Sequence, residues 1–183
     1  MSIIGWAKLY DSTLSSAATS VTISGLAGDT DVEYKLEARI VNGYNGEAYY
    51  TLTFNTDTGA NYGYQYINGV NTTTSATRSA ASGMVVGSND AINKLSLSEM
   101  KIHAKSGYLR TAINEHSRSI ATTTVTSIHE VGYVWNNTTD NITQMVITSD
   151  GANGLGIGTQ LTLWGRKTMT TTPPTTLLEW VTP

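Results

Sequence analysis

A period-two alternation of apolar and charged residues constrains the fold of this chain more than any other feature. From Val32 to Ile40, every even position is apolar and every odd position is Glu, Lys or Arg. Successive side chains of a strand point to opposite faces, so the pattern is typical of a strand with one buried and one solvent-facing side. The segment from Ala48 to Phe54 alternates in the same way, and Asn42 to Gly46 supplies two Asn/Gly turn signals between them. The two segments are therefore predicted to form a hairpin.

Further short strands are predicted along the chain, separated by turns that contain Gly, Asn or Asp. Asn68-Gly69 is interpreted as one such turn, and a change of phase at Ser98-Glu99 predicts a β-bulge. These strands are placed at residues 62–67, 84–87, 95–104, 108–116, 125–135, 142–148 and 159–166. No window shows a convincing helical stripe. About 8–10 strands at this spacing predict an all-β antiparallel sandwich or barrel.

Composition excludes several classes of function. The net charge is −3 and there is no basic run, so nothing attracts nucleic acid or an anionic membrane. The absence of cysteine excludes disulfides, thiolate metal sites and cysteine nucleophiles. No apolar run approaches the roughly 20 residues that span a bilayer, and the first residues lack the parts of a signal peptide. We therefore expect a chain that is made in a cytoplasm and stays there.

The sequence divides into three segments. Residues 1–20 are an N-terminal segment or the first strand, 21–167 form the sandwich, and 168–183 form an extended C-terminal arm. Pro173-Pro174 favours extended geometry and is incompatible with a sheet interior. The apolar residues after it are the predicted partner interface: Leu177, Leu178, Trp180 and Val181. The arm either docks on a neighbouring chain or folds back on its own sandwich.

Two motifs suggest catalysis but lack the required context. Asp57-Thr58-Gly59 matches the loop of retroviral-type aspartic proteases, yet a polar segment precedes it and no second copy exists, so a hairpin loop is the alternative. The histidines His103, His116 and His129 have no metal-ligand spacing. The alternation places His103 and His116 opposite the apolar residues, which predicts that both face solvent. The sequence thus predicts neither an enzyme nor a metal site.

Two loops resemble ligand-binding loops only superficially. The glycine-rich segment Gly154 to Gly158 precedes a strand rather than a helix, so it is interpreted as a loop with positive φ at several positions instead of a phosphate cradle. Residues 29–33 offer oxygen ligands but lack the glycine that a hand-type calcium loop needs at its sixth position. A solvated loop is the simpler interpretation, with a structural Ca²⁺ left open, and no cofactor is predicted.

Aromatic side chains form a candidate sugar-binding platform. Flat rings exposed on a sheet can stack on a saccharide, whereas alternating tyrosines within strands more often pack in a core. The candidates for stacking on a glycan are Tyr62, Tyr64, Tyr66, Trp135 and Trp164.

Three stretches of the chain resemble small jelly-roll proteins from the virions of tailed bacteriophages. They are the segment from Ser24-Gly25-Leu26 into Tyr34-Lys35-Leu36, the segment from Leu52 to Tyr62, and the closing segment from Gly156 to Lys167. The closing segment consists of a Gly-rich loop, a Gly-Thr pair, an alternating strand and a basic pair. The resemblance covers roughly residues 20 to 167, by order of motifs, and implies a jelly-roll fold.

The resemblance implies a structural component of the virion, such as a decoration or cement protein that binds the capsid surface, a fibre component or a tail appendage. Its expected partners are further copies of itself, as a homotrimer, and the major capsid protein or another virion protein. The arm after Lys167 departs from the family and leaves the position on the virion open. The alternative function is a carbohydrate-binding or host-adhesion module of a phage tail or fibre.

Overall fold

The computed structural model describes residues 2–121 and 124–170, which form twelve strands and one helical turn. The strands are β1 (Ser2–Thr13), β2 (Ser20–Ser24), β3 (Glu33–Val41), β4 (Ala48–Phe54), β5 (Tyr62–Val70), β6 (Thr73–Ala81), β7 (Met84–Asn89), β8 (Leu95–His103), β9 (Arg110–Ala121), β10 (Thr124–Trp135), β11 (Gln144–Ser149) and β12 (Gln160–Thr170). The helical turn α1 (Gly28–Asp31) connects β2 to β3. The prediction of an all-β fold is confirmed.

The strands form two antiparallel sheets that pack as a sandwich. The large sheet has eight strands in the order β1-β12-β3-β8-β9-β10-β5-β6, and the small sheet has four in the order β2-β11-β4-β7. Aliphatic and aromatic side chains of both sheets meet between them, among them Leu36, Ile40, Leu52 and Ile147, all fully buried. The alternation along β3 and β4 therefore identified the inner face of each strand correctly.

The strand connectivity of the sandwich is that of a jelly roll. Strand β1 pairs with β12, β2 with β11, β3 with β8, and β4 with β7. These four pairs are nested in the sequence, as in a single antiparallel ribbon folded over on itself, and successive pairs alternate between the two sheets. The segment before residue 21 belongs to this ribbon, because β1 pairs with β12 over most of its length.

Two insertions enlarge one sheet of the jelly roll. Strands β5 and β6 lie between β4 and β7 in the chain, and β9 and β10 lie between β8 and β11. The insertions pair with each other through β5 and β10 and add to the large sheet next to β8. We call these four strands the extension. They continue the large sheet past β7, the edge strand of the small sheet.

The predicted hairpin at Asn42 to Gly46 is wrong. β3 belongs to the large sheet and β4 to the small one, so this segment crosses between sheets instead of reversing within one. The buried Asn42 side chain holds the crossing, since its Nδ2 donates to Gly46 O (2.8 Å) and its Oδ1 accepts from Tyr44 N (2.8 Å). Asn and Gly indicate a change of direction and do not distinguish a hairpin from a crossing.

Three smaller predictions about strands are also wrong. Asn68-Gly69 lies within β5, and the turn falls at Asn71, which has a φ of 54°. β6, made of small polar residues, was not predicted at all. β8 pairs with β3 and β9 without a register shift, so there is no bulge at Ser98-Glu99.

The glycine-rich loop before β12 depends on close packing more than on positive φ. Only Gly158 among its glycines has a φ in the left-handed region, at 85°. A Cβ on Gly156 would lie 2.9 Å from Val41 O and 2.9 Å from Gly43 N. The prediction of positive φ at several positions is therefore wrong, because the close approach of two backbones explains the second glycine.

Side chains of the extension satisfy the free edge of β7. Asn114 of β9 donates to Val85 O (2.9 Å) and Val86 O (3.3 Å). The Tyr133 hydroxyl of β10 accepts from Val85 N (3.0 Å) and donates to Val85 O (3.1 Å). Backbone groups at a buried edge need such partners, so these contacts fix the extension against the small sheet.

Replacing Asn114 with alanine is expected to destabilise the fold by about 2–4 kcal/mol, because Val85 O, Val86 O and the Ser98 hydroxyl each lose a hydrogen bond, although Val85 O keeps the one from Tyr133. Chemical denaturation of the variant measures the loss. Asn136→Ala, at an exposed loop position, is the matched control and should change stability by less than about 0.5 kcal/mol. Equal effects of the two substitutions would contradict this role of Asn114.

Candidate functional site

The predicted interface of the C-terminal arm cannot be placed. Leu177, Leu178, Trp180 and Val181 lie outside the residues that the structure describes. Strand β12 continues to Thr170, three residues beyond the predicted end of the sandwich.

Two of the five candidate glycan-stacking aromatics are core residues. Tyr62 and Trp135 are 0% and 1% exposed, and both pack against Phe54 of the small sheet. Neither can offer a ring face to a sugar, so these two assignments are corrected. Their alternation placed them on the inner face, where the small sheet still covers the extension.

Trp164 lies on the outer face of the large sheet, with lysines on the strands at both sides. Lys8 Nζ and Lys35 Nζ lie 5.9 and 5.8 Å from its ring centroid, and the indole Nε1 donates to Glu37 Oε2 (3.0 Å). These cation–π contacts occupy the ring, which argues against a stacking role.

Tyr64 and Tyr66 lie on the inner face of β5, beyond the cover of the small sheet. Their rings are parallel, with an interplanar angle of 3° and centroids 5.9 Å apart. Both are half-buried and line a cavity of about 400 Å³ between the extension and β7. We call this the inner cavity.

The other walls of the inner cavity combine polar residues with apolar ones such as Val85 and Val131. Asn68, His116, Arg118 and His129 contribute from the extension, and Ser88 contributes from β7. Arg118 makes ion pairs with Glu47 Oε1 (3.0 Å) and Asp90 Oδ1 (2.7 Å). Because two carboxylates flank one guanidinium, the cavity wall carries no unneutralised positive charge.

His116 and His129 form a stacked pair inside this wall. They are cross-strand neighbours on β9 and β10, with ring centroids 4.3 Å apart and an interplanar angle of 9°. Burial, with smaller contributions from His129 and Arg118, lowers the pKa of His116 to about 3. Burial and Arg118 also lower the pKa of His129. Both rings are therefore neutral at pH 7.

The prediction that His116 faces solvent is wrong, since the residue is 6% exposed. The error has a physical reason: the polarity of the strands is inverted in this part of the sheet. On β9 the inner face carries Asn114 and His116, and the outer face carries Ile113, which is 56% exposed. His103 lies on the outer side of β8 and is half-buried, with its ring edge-on to Tyr108.

The outer face of the extension is apolar at its centre. Ile67, Leu97, Ile113 and Ile128 come from four neighbouring strands and are 62%, 53%, 56% and 61% exposed. We call them the outer patch. Large apolar side chains grouped on a surface are typical of an interaction site.

A row of glutamates crosses the outer patch. Glu37, Glu99, Glu115 and Glu130 are direct cross-strand neighbours on β3, β8, β9 and β10. Directly opposed like charges destabilise a sheet. Lys35 pairs with Glu37 and Lys101 with Glu99, whereas the ion pairs of the described chain include none to Glu115 or Glu130. The patch therefore combines apolar side chains with uncompensated negative charge.

Asp57 is held as a loop residue. Its carboxylate accepts from Trp135 Nε1 (2.7 Å), Gly59 N (3.0 Å) and Asn61 Nδ2 (3.1 Å). Burial opposes ionisation of Asp57, but these hydrogen bonds together outweigh it and lower the pKa below its usual range. Asp57 is therefore a loop residue, as the alternative interpretation had it, but the hairpin part of that interpretation is wrong, because β4 lies in the small sheet and β5 in the large one.

The acidic segment at residues 29–33 directs oxygens to protein donors. Asp29 Oδ1 accepts from Ser106 N (2.6 Å), and Asp31 Oδ2 accepts from the Tyr34 hydroxyl (3.0 Å). In the described part of the chain, no group of three His, Asp or Glu residues could hold a metal ion. Within the same residues no helix is long and apolar enough to cross a membrane.

Comparison with known proteins identifies no family. No family model matches the chain, and no curated protein matches it. One solved structure, described as a proposed pore-forming toxin from Bacteroides vulgatus, has 6% sequence identity and a TM-score of 0.11. The alignment covers 84% of this chain and 62% of the other, and a similarity at this level carries no argument about fold or function.

Sequence reasoning identified Tyr64 and Tyr66 but missed Arg118, Asn114, Glu115 and Glu130. The signal that could have found them is present in β9 and β10. There Ile113 and Ile128 share a face with Glu115 and Glu130, whereas Asn114, His116 and Arg118 occupy the opposite face of β9. A strand with polar residues on both faces does not fit a dry core on either side.

Proposed function

We propose that the protein is a structural subunit of a tailed-phage virion, of the capsid-decoration or cement type, that binds the particle surface and acts as a homotrimer. The support comes from the jelly-roll topology together with the outer patch of the extension. The position on the virion and the trimer are part of the proposal.

The outer patch is the observation that carries this proposal. Four large apolar side chains on adjacent strands are an unfavourable way to face water, and their burial against a partner would stabilise a complex by about 25 cal/mol per Å². Many copies on a symmetric particle would then add weak individual contacts through avidity.

The glutamate row indicates the chemistry of the partner surface. Glu115 and Glu130 lie on the same faces of β9 and β10 as Ile113 and Ile128, and no ion pair among the described residues involves either of them. A surface that presents Lys or Arg among apolar residues would neutralise them and relieve the repulsion between them. We infer that the virion surface contacted by the extension is basic and apolar.

Ile128→Glu should abolish attachment while leaving the fold intact. The residue is 61% exposed, so the substitution should change stability by less than about 0.5 kcal/mol. It removes an apolar contact and puts a hydrated carboxylate in its place, and binding to purified particles should fall at least about tenfold in co-sedimentation. Sedimentation velocity of the free protein measures the mass of the oligomer in the same samples.

Ile157→Glu is the matched control, because Ile157 is 66% exposed but lies in the loop before β12, away from the extension. It should bind particles as the wild type does. Equal binding by Ile128→Glu and wild type would refute the outer patch as the contact, and failure of the wild type to co-sediment with particles would refute the virion proposal itself.

A further inference from the structure

We propose that the inner cavity is a binding site for an uncharged saccharide unit, held against the tyrosines of β5 and the histidine pair of β9 and β10. The site is on the opposite face of the sheet from the outer patch, so this inference does not depend on the docking proposal.

The dimensions of the cavity suit a small ligand. Its volume of about 400 Å³ lies within the roughly 300–1,000 Å³ of small-molecule sites. It is bounded by the extension on one side and by β7 on the other, where Val85 and Ser88 line it. A ligand there would be enclosed on two sides and not merely laid on a surface.

The walls combine aromatic rings with polar groups. Tyr64 and Tyr66 are parallel, Tyr133 lies with its centroid 6.3 Å from Tyr64, and the His129 ring meets Tyr66 edge-on at 6.3 Å. The C–H face of a pyranose is flat and apolar, whereas its hydroxyls project around the rim. Aromatic faces bordered by polar groups match this distribution.

Two buried nitrogens of the lining residues lack a partner. His129 Nε2 and Arg118 Nε have no hydrogen-bond partner among the described residues. Arg118 Nε can only donate, and the neutral imidazole nitrogen donates or accepts according to its tautomer. A hydroxyl group both donates and accepts, so a polyol is able to satisfy both nitrogens once a side-chain shift uncovers them, and leaving them unsatisfied has a cost.

The charges favour a neutral ligand over an ionic one. Arg118 is already neutralised by Glu47 and Asp90, and both histidines are neutral at pH 7 because burial lowers the pKa of each. An anion would find no free positive charge. A cation would find both Glu47 and Asp90 already paired with Arg118.

Calorimetry and saturation-transfer NMR on the full chain test the site. The probes are disaccharides of glucose, galactose, mannose and N-acetylglucosamine, with digalacturonate as the anionic arm and choline as the cationic arm. We expect at least one neutral disaccharide to bind with a Kd of about 1 mM or tighter, and both ionic probes to bind at least about tenfold more weakly. Absence of binding by every neutral probe at a concentration 20-fold above that Kd would overturn the proposal. Preferential binding of choline or digalacturonate would overturn it too.

Variants locate the binding. Tyr66→Ala should raise the Kd of the neutral probe at least about tenfold. Tyr66→Phe, which keeps the ring, should have a Kd within about threefold of wild type. Tyr108→Ala removes a tyrosine that is 64% exposed and remote from the cavity, and should bind as wild type. Unchanged binding by Tyr66→Ala, or equal weakening in Tyr108→Ala, would place the sugar elsewhere and refute the inference. A thermal melt of each variant separates loss of the site from loss of the fold.

Discussion

Arg110→Ala is expected to destabilise the protein by about 3–5 kcal/mol and to lower its Tm by roughly 10 °C. Arg110 is the first residue of β9, and none of its surface is exposed. Its guanidinium donates to Asn137 O and Asp140 O and lies 5.5 Å from the centre of the Trp135 ring. Substitution would leave buried carbonyls without donors and a cavity beside Trp135.

The planar guanidinium explains why arginine suits this position better than lysine. It reaches two carbonyls of the loop after β10 and covers an indole face at once, which a lysine ammonium cannot do. Arg110→Lys should therefore recover less than half of the lost stability. Arg78→Ala, on the exposed strand β6, is the control and should change stability by less than about 0.5 kcal/mol. If Arg110→Ala unfolds at the wild-type denaturant concentration, the loop is not held by this residue.

Acidification is expected to weaken the fold through the buried histidine pair. The pKa of His116 is about 3 in the folded protein, against about 6.5 in an unfolded chain. Below pH 6.5 the unfolded state takes up a proton that the folded state excludes. The associated stability is complete above pH 6.5 and is lost as the pH falls towards 3, at up to about 1.4 kcal/mol per pH unit for this one group.

His116→Gln isolates this contribution from that of the carboxylates. Several carboxyl groups, such as Asp29, held by hydrogen bonds from Ser106, also have a lowered pKa and lose stability in the same direction. The variant lacks only the imidazole. Between pH 7 and pH 4 the free energy of unfolding should therefore fall by about 2–3 kcal/mol less in the variant than in wild type, as measured by urea denaturation at both pH values.

A parallel decline of wild type and His116→Gln with pH would contradict the burial of a neutral imidazole at this position. Because His129 stacks on His116 and its pKa is also lowered, His129→Gln should reduce the pH dependence in the same direction. Acid would thus destabilise the strands that form the inner cavity, and the saccharide site would be lost with them.

The jelly-roll half of the fold follows from the sequence because its burial follows the alternation. In β3 and β4 the alternate positions from Tyr34 to Ile40 and from Ala48 to Phe54 are all buried between the two sheets. What the sequence could not supply is which strands pair. The Asn42 to Gly46 segment has the composition of a hairpin loop, yet long-range contacts send β3 and β4 into different sheets.

The same reasoning failed for the extension and for β8 beside it, for a physical reason. The rule that apolar residues face inward assumes that the inner face is a dry core and the outer face is water. In the first half of β8 the buried positions are Ser96 and Ser98, and Leu97 points outward. The apparent change of phase at Ser98-Glu99 is the boundary where the buried residues change from serines, hydrogen-bonded to Asn89 and Asn114, to the apolar Met100 and Ile102. The polarity of the faces changes there while the backbone continues without a bulge.

Both proposed sites follow from the inverted polarity of β9 and β10. A chain that stabilised only itself would place Ile113 and Ile128 inward and Asn114 and His129 outward. The observed inversion leaves isoleucines exposed and histidines buried, at a cost to the isolated fold. A partner surface outside and a polar ligand inside would each recover part of that cost.

Carboxylate footprinting of the particle-bound protein tests the docking of the extension most directly. Carbodiimide and glycine ethyl ester label exposed acids, and mass spectrometry compares the free protein with the particle-bound one. We predict that Glu115 and Glu130 lose most of their labelling on binding, while Asp140, in the exposed loop after β10, is labelled equally in both states. Undiminished labelling of Glu115 and Glu130 in protein that has bound the particle would contradict the account.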